Sequence, residues 1–239
     1  MEIFPSEFSD LLSPSAASRA RWSGADGPGH FSMASGVLGA RRSRACFALL
    51  DNALGPLAKN ADRPLDPNSI WGMRRNYTES LTKVMRQKSV SFESTRHPAY
   101  KVATKIGLLR LMRSESLARL AETVSGERLE RANGVQAILY GHGDYVGPHN
   151  DHHPEQAHLR HGYVDVHLSF VNEHVDSQSL VCQGADGHLN ALYNVTRTGS
   201  IAVYRLPFWH YVTPLMGRPG HESKARRWVL MASYTIAKE

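Results

Sequence analysis

The chain has 239 residues, 41% hydrophobic and 21% charged, with 28 Lys+Arg against 22 Asp+Glu for a formal charge of +6. That length suits one domain of ordinary size, with or without an extension, able to bury a core without disulfides or a structural metal. No apolar run approaches the roughly 18–20 residues of a membrane span, and no collagen, coiled-coil or longer internal repeat is visible.

Taken in chain order, the N-terminal MEIFPSEFSDLL carries acids early and lacks the basic-then-apolar order of a signal peptide. Residues 1–40 are rich in Ser, Ala and Gly and read as an irregular extension. From 41 to 133 the patterns are helical support. ACFALLDNALGPLA reads as a short helix stopped by Gly55-Pro56. The clearest helix starts at Ser114, a good N-cap, carries Leu117, Leu120, Ala121 and Val124 at helical spacing, and ends at Gly126. After Gly134 the texture changes to short strands: 135–140, 163–171, 179–183, 200–206 and 227–236. Several short strands separated by turns predict a mainly β sandwich or barrel over 134–239, flanked by helices, within a unit spanning 41–239.

Cys46 and Cys182 are the only cysteines and lie far apart, which fits a reducing compartment and a cytoplasmic location. The basic runs at 19–22, 40–44, 73–75 and 224–227 are short, scattered and not interleaved with aromatics. They read as solvated surface, so a nucleic-acid partner is not expected. The 13 His are more unusual, most of them falling between His142 and His210.

The chemistry concentrates in YGHGDYVGPHNDHHPE, residues 140–155. In an extended strand, residues i and i+2 project from one face, so His149 and Asp151 can offer an imidazole and a carboxylate to one metal ion. His210 is the leading third ligand, ahead of His221, which sits in a polar Pro/Gly-rich loop. Two His and one carboxylate leave open positions on an octahedral ion, as non-haem Fe(II) oxygenases require. His142-Gly143-Asp144 has the same spacing, but its glycines favour a turn. His167 shares a strand face with Asp165 and Ser169, and that face could point to the site or to solvent.

This ordered set resembles the Fe(II)/2-oxoglutarate-dependent dioxygenase superfamily, especially its prolyl-hydroxylase-like branch. The matching elements are Tyr140, Gly143-Asp144, His149/Asp151, the strand 163–171, Gly199-Ser200, His210 with Pro214, Gly217, and Arg227 opening the last strand. They span residues 135–236. The resemblance implies a double-stranded β-helix (a jelly-roll, cupin-like core) with Fe(II) held by His149, Asp151 and His210 in its mouth. It implies 2-oxoglutarate as cosubstrate and O₂ as oxidant, with succinate and CO₂ released as a C–H bond is hydroxylated. It also implies that Arg227, helped by Tyr140, takes the distal carboxylate of 2-oxoglutarate.

One departure stands out. Arg227 lies further beyond His210 than the family usually places its arginine, which makes Arg218 and Arg226 rival anchors. Strand neighbours face opposite ways, so Arg226 and Arg227 cannot both point inward. A small amino acid-like or natural-product substrate is expected. A protein side-chain hydroxylase and a cupin-like metal protein that does not use 2-oxoglutarate are the alternatives.

Overall fold

The computed structural model describes residues 17, 20–23, 30–62, 84–92, 94–151, 162–183 and 188–237. The basic run at 73–75 and His152, His153, His158 and His161 lie outside the described residues.

Among the described residues the first strand is β1 (Phe31–Ala34), followed by helix α1 (Ala40–Leu54). The helix buries Ser43, Cys46, Leu50 and Leu54, a stripe at helical spacing, and leaves Arg41, Arg42 and Arg44 in solvent. One of the basic runs is thus the wet face of a helix. Short strands β2 (Lys59–Asn60), β3 (Met85–Arg86) and β4 (Lys88–Ser91) follow, then α2 (Pro98–Lys105), α3 (Leu108–Met112) and α4 (Glu115–Ser125). Helix α4 is built as its sequence predicts. The Ser114 hydroxyl accepts from the Leu117 N–H at 3.2 Å, and Gly126 closes the helix at φ 75°.

From residue 129 the described residues are mainly strand. Successive strands pass between a large sheet and a small one. β5 (Leu129–Gly141), β7 (Tyr163–Val171), β11 (Ser200–Leu206) and β14 (Arg226–Ile236) join the large sheet. β6 (Tyr145–His149), β9 (Ser179–Gln183), β10 (Leu189–Asn194) and β12 (His210–Val212) join the small one. The large sheet runs β1-β11-β7-β14-β5-β4-β2 and the small sheet β10-β9-β12-β6-β3. β8 (Val175–Ser177) and β13 (Met216–Gly217) make a separate pair. This winding is the double-stranded β-helix.

Two apolar layers hold it. The outer face of the large sheet meets the helices: Val164, Val166, Leu168 and Phe170 of β7 and Trp228, Leu230, Ala232 and Tyr234 of β14 pack with Leu50, Leu54, Leu108, Met112 and Leu117. Trp228 also donates its indole N–H to Asp51 at 3.1 Å. Between the sheets lie two smaller clusters, one around Leu180, Cys182 and Tyr204 and one around Ile138, Val146 and Val229. Strand β7 is therefore covered on both faces, which is why Asp165 and Ser169, on its inward face, are buried although the strand's sequence alternates apolar and polar residues.

Several elements differ from the sequence expectation. Phe31–Ala34, read as loop, pairs with β11 as an edge strand. Helix α1 begins at Ala40, and Gly55-Pro56 opens a 3₁₀ turn after it. β5 begins at Leu129 because its first half hides its alternation. Arg131 on that stretch binds Glu115 and Glu122 of α4 at the surface. Among the described residues, no helix is long and apolar enough to cross a membrane.

Candidate active site

Strands β6 and β12 pair so that His149 and His210 stand opposite each other, ring centroids 4.2 Å apart. Each imidazole is fixed by its own backbone. His149 Nδ1 lies 2.7 Å from the Gly147 carbonyl, and His210 Nδ1 lies 2.9 Å from that of Phe208. A carbonyl only accepts, so Nδ1 carries the proton in both rings and Nε2 keeps a free lone pair. Both Nε2 atoms approach the same oxygen, Oδ2 of Asp151, at 3.2 Å and 3.5 Å. The three ligand atoms lie within 4.8 Å of one another. Two imidazole nitrogens and one carboxylate oxygen, with the histidines oriented from behind, form a donor set suited to Fe(II).

Asp151 reaches this position by a different route from the strand geometry expected. β6 ends at His149, and Asp151 lies beyond it at φ 53°, the single non-glycine residue with positive φ among those described. The left-handed turn, which aspartate tolerates better than most residues, brings the carboxylate back over the histidines. Tyr163, the first residue of β7, donates its hydroxyl to the Asp151 carbonyl at 3.2 Å. Burial pushes the Tyr163 hydroxyl well above its ordinary pKa, so it remains a donor.

The triad opens into a cleft of about 540 Å³, counting the solvent at its mouth, and Arg227 lines the same cleft. Arg227 is buried, 5% exposed, and its charge has no carboxylate within 4.0 Å among the described residues. Nε donates to Ser169 Oγ and Nη1 to Gln178 Oε1, both at 2.9 Å, which aims the guanidinium. The Tyr140 ring lies 5.4 Å from it. Burial pushes the Tyr140 hydroxyl up to about 12 and outweighs the opposing pull of Arg227, so it stays a neutral donor. A buried cation with unused donors beside a neutral phenol is chemically suited to an anion such as a carboxylate.

The rival residues are elsewhere. Arg226 points outward and donates to the Ser223 and Ala225 carbonyls, and Arg218 is exposed. His221 stacks on His174, and Gly217 donates its N–H to His142 Nδ1, so neither histidine joins the triad. Asp144 accepts from the Gly141 N–H at 2.7 Å and pairs with Arg86, the turn its glycines predict. His167 and Asp165 face the cleft rather than solvent. Sequence reasoning missed Gln178 and Tyr163. Gln178 carries no local signal; Tyr163 opens a strand whose odd-numbered side chains all face inward.

No family model matches the sequence, and no curated protein matches it. Solved structures do. A prolyl hydroxylase from Trichoplax adhaerens, in complex with a hypoxia inducible factor oxygen degradation domain peptide fragment, has TM-score 0.57 at 11% identity, covering 99% of this chain and 96% of that one. The non-haem α-ketoglutarate-dependent epimerase SnoN from nogalamycin biosynthesis has TM-score 0.55 at 15% identity, covering 94% and 84%. This is the fold of the 2-oxoglutarate oxygenases. The resemblance read from residues 135–236 thus holds for the architecture, and the likeness extends over the helical half as well.

Proposed function

We propose that the protein is an Fe(II)- and 2-oxoglutarate-dependent oxygenase. On this reading it hydroxylates an unactivated C–H bond of a small amino acid-like or natural-product molecule in the cytoplasm. The balance is R–H + 2-oxoglutarate + O₂ → R–OH + succinate + CO₂. One observation carries the reading: a buried guanidinium without a carboxylate partner among the described residues shares a cleft with two imidazoles and a carboxylate that converge on one point.

His149, Asp151 and His210 would hold the iron, which when bound supplies the redox chemistry with O₂. The rest falls to the chain's own groups. Arg227 takes the distal carboxylate of 2-oxoglutarate, and the neutral Tyr140 hydroxyl donates to the same group. Ser169 and Gln178 hold the guanidinium fork in place. The Gly147 and Phe208 carbonyls keep both imidazoles turned with Nε2 towards the cleft. Ile138, Val146, Leu206, Val212 and Val229 line the cleft with apolar surface that excludes water from the reacting groups. A metal protein that does not use 2-oxoglutarate would need the triad but would have no use for a buried, uncompensated Arg227.

The test is succinate formation by the anaerobically Fe(II)-loaded protein on admitting O₂, across free amino acids, their conjugates and peptides. Succinate formed in step with loss of a small molecule is expected. Stimulation by peptides alone would transfer the reading to a protein side-chain hydroxylase. No succinate with any of them would contradict it.

A further inference from the structure

The cleft holds a second polar group that the 2-oxoglutarate reading does not use. Asp165, on the inward face of β7, is 5% exposed in a position whose strand neighbours are mostly apolar. Its Oδ1 is sealed from solvent with no hydrogen-bond partner. Among the described residues, the one basic group within 4.0 Å is His167, whose Nε2 lies 3.9 Å from Oδ2. That is too long for a hydrogen bond, and His167 Nε2 is itself buried without a partner. A buried carboxylate lacking both counter-ion and donor is costly to keep, and a ligand that supplies both removes the cost.

Its surroundings say what kind of ligand. Tyr204 stands directly across from Asp165 on β11, and its ring lies tilted against His167 with centroids 4.2 Å apart. Ser233 faces it from β14, so no described neighbour opposite it on either flanking strand carries a positive charge. A carboxylate beside an aromatic ring suits a protonated amine or guanidinium, which can bond the oxygens and lie against the ring. Position fits as well. Ser169, which holds Arg227, lies four residues further along the same strand face, about 13 Å away at the usual rise per residue. Asp165 is instead two residues from Tyr163, which holds Asp151. Along β7 the residue that holds the cleft's cation and its unpaired anion are thus set four residues apart, the anion on the side of Tyr163.

We propose that Asp165, flanked by His167 and Tyr204, is the substrate-recognition subsite and takes an ammonium or guanidinium group of the substrate. The proposal rests on the oxygenase reading for its meaning, because the group bound there would bring the substrate's C–H bonds beside the triad.

The test uses calorimetric binding to the Fe(II)-loaded protein without O₂, in the absence and presence of 2-oxoglutarate. The probes are L-lysine against its neutral counterpart L-norleucine, and L-arginine against L-citrulline. The tripeptides Gly-Lys-Gly and Gly-Arg-Gly distinguish a free amino acid from a side chain as the source of the cation. At least one cationic probe should bind saturably, its neutral counterpart at least ~10-fold more weakly. Asp165→Asn should lose the same factor while its melting temperature holds or rises, because an uncompensated charge has been removed. A structural role would do the reverse, lowering the melting temperature and leaving binding unchanged. That result, or equal binding of cationic and neutral probes, or no binding by any probe, would overturn the proposal. The comparison of charged and neutral probes on the unmutated protein decides the matter even if Asp165→Asn does not fold. If Asp165-dependent binding of a cation is found but 2-oxoglutarate does not bind, the oxygenase reading fails and the subsite stands.

Discussion

His149 and His210 are cross-strand partners whose Nε2 atoms converge on one oxygen of Asp151, at 3.2 Å and 3.5 Å. Because each ring is held by the carbonyl two residues before it, the arrangement is built before any ion arrives. The protein should bind one equivalent of Fe(II) under anaerobic conditions. Alanine at His149, Asp151 or His210 should weaken binding by more than the about 10–100-fold that loss of an outer partner costs. His142→Ala and His221→Ala should leave it within about twofold, because the contacts they lose, to Gly217 and His174, do not involve the triad. Equilibrium dialysis with metal analysis checks this. Loss of iron in His221→Ala with retention in His210→Ala would reverse the assignment.

Tyr163 acts on the same centre from outside. Its hydroxyl holds the carbonyl of Asp151, a residue whose φ of 53° needs support. Tyr163→Phe keeps the ring in place and removes that bond. Iron affinity should fall about tenfold, at the lower end of the range for such partners, with far-UV circular dichroism unchanged. Unchanged affinity would mean that Asp151 is held by other contacts.

These features show how unevenly the sequence discloses a site. Strands 163–171, 179–183 and 200–206 coincide with β7, β9 and β11 because β-branched, aromatic and other apolar residues cluster there between turn residues. Helix α4 is legible from its two caps. β6 is disguised by Gly147 and Pro148, residues that weaken a strand pattern. Gly147 is there for space: a Cβ would stand 3.0 Å from the Val84 carbonyl. His149, Asp151, His210 and Arg227 can be named from order and residue type, yet the turn that swings Asp151 inward leaves no mark on the sequence. Arg226 and Arg227 separate on strand alternation alone. Asp165 and His167 stay ambiguous until it is known that both faces of β7 are covered.

The burial of Tyr140 has a consequence at high pH. Its hydroxyl is pushed up to about 12 in the fold, against an ordinary value near 10 in the unfolded chain. Below pH 10 the phenol is neutral in both states and its burial costs nothing extra. Between pH 10 and about 12 the unfolded chain ionises and the folded one does not, so stability falls as pH rises. Tyr163, Tyr204 and Tyr234 are shifted the same way by burial and add to the decline. Urea unfolding at a series of pH values should show a shallower alkaline loss in Tyr140→Phe. An identical slope in both proteins would show that Tyr140 is more accessible than its packing indicates.

Gly199 fixes the approach of α1 to the sheet. It sits at φ 74°, donates its N–H to the Ser169 carbonyl, and a Cβ there would collide with Ser43 Oγ. Gly199→Ala therefore meets both backbone strain and overlap, and should cost about 2 kcal/mol or more by denaturant unfolding. Ser114→Ala, which removes only the cap of α4, should cost about 1 kcal/mol. A Gly199→Ala protein as stable as the unmutated one would mean that α1 can shift away from the sheet at little cost.

The most direct test is an anaerobic calorimetric titration of the Fe(II)-loaded protein with 2-oxoglutarate, comparing the unmutated chain with Arg227→Ala and Arg226→Ala. Arg227 is buried with unused donors and no acid beside it, whereas Arg226 spends its donors on backbone carbonyls at the surface. The account predicts one equivalent bound by the unmutated protein, affinity reduced about 100-fold in Arg227→Ala through loss of a charge-assisted fork, and near-unchanged binding in Arg226→Ala. Saturable binding that survives Arg227→Ala undiminished, or no binding to the unmutated protein, would contradict it.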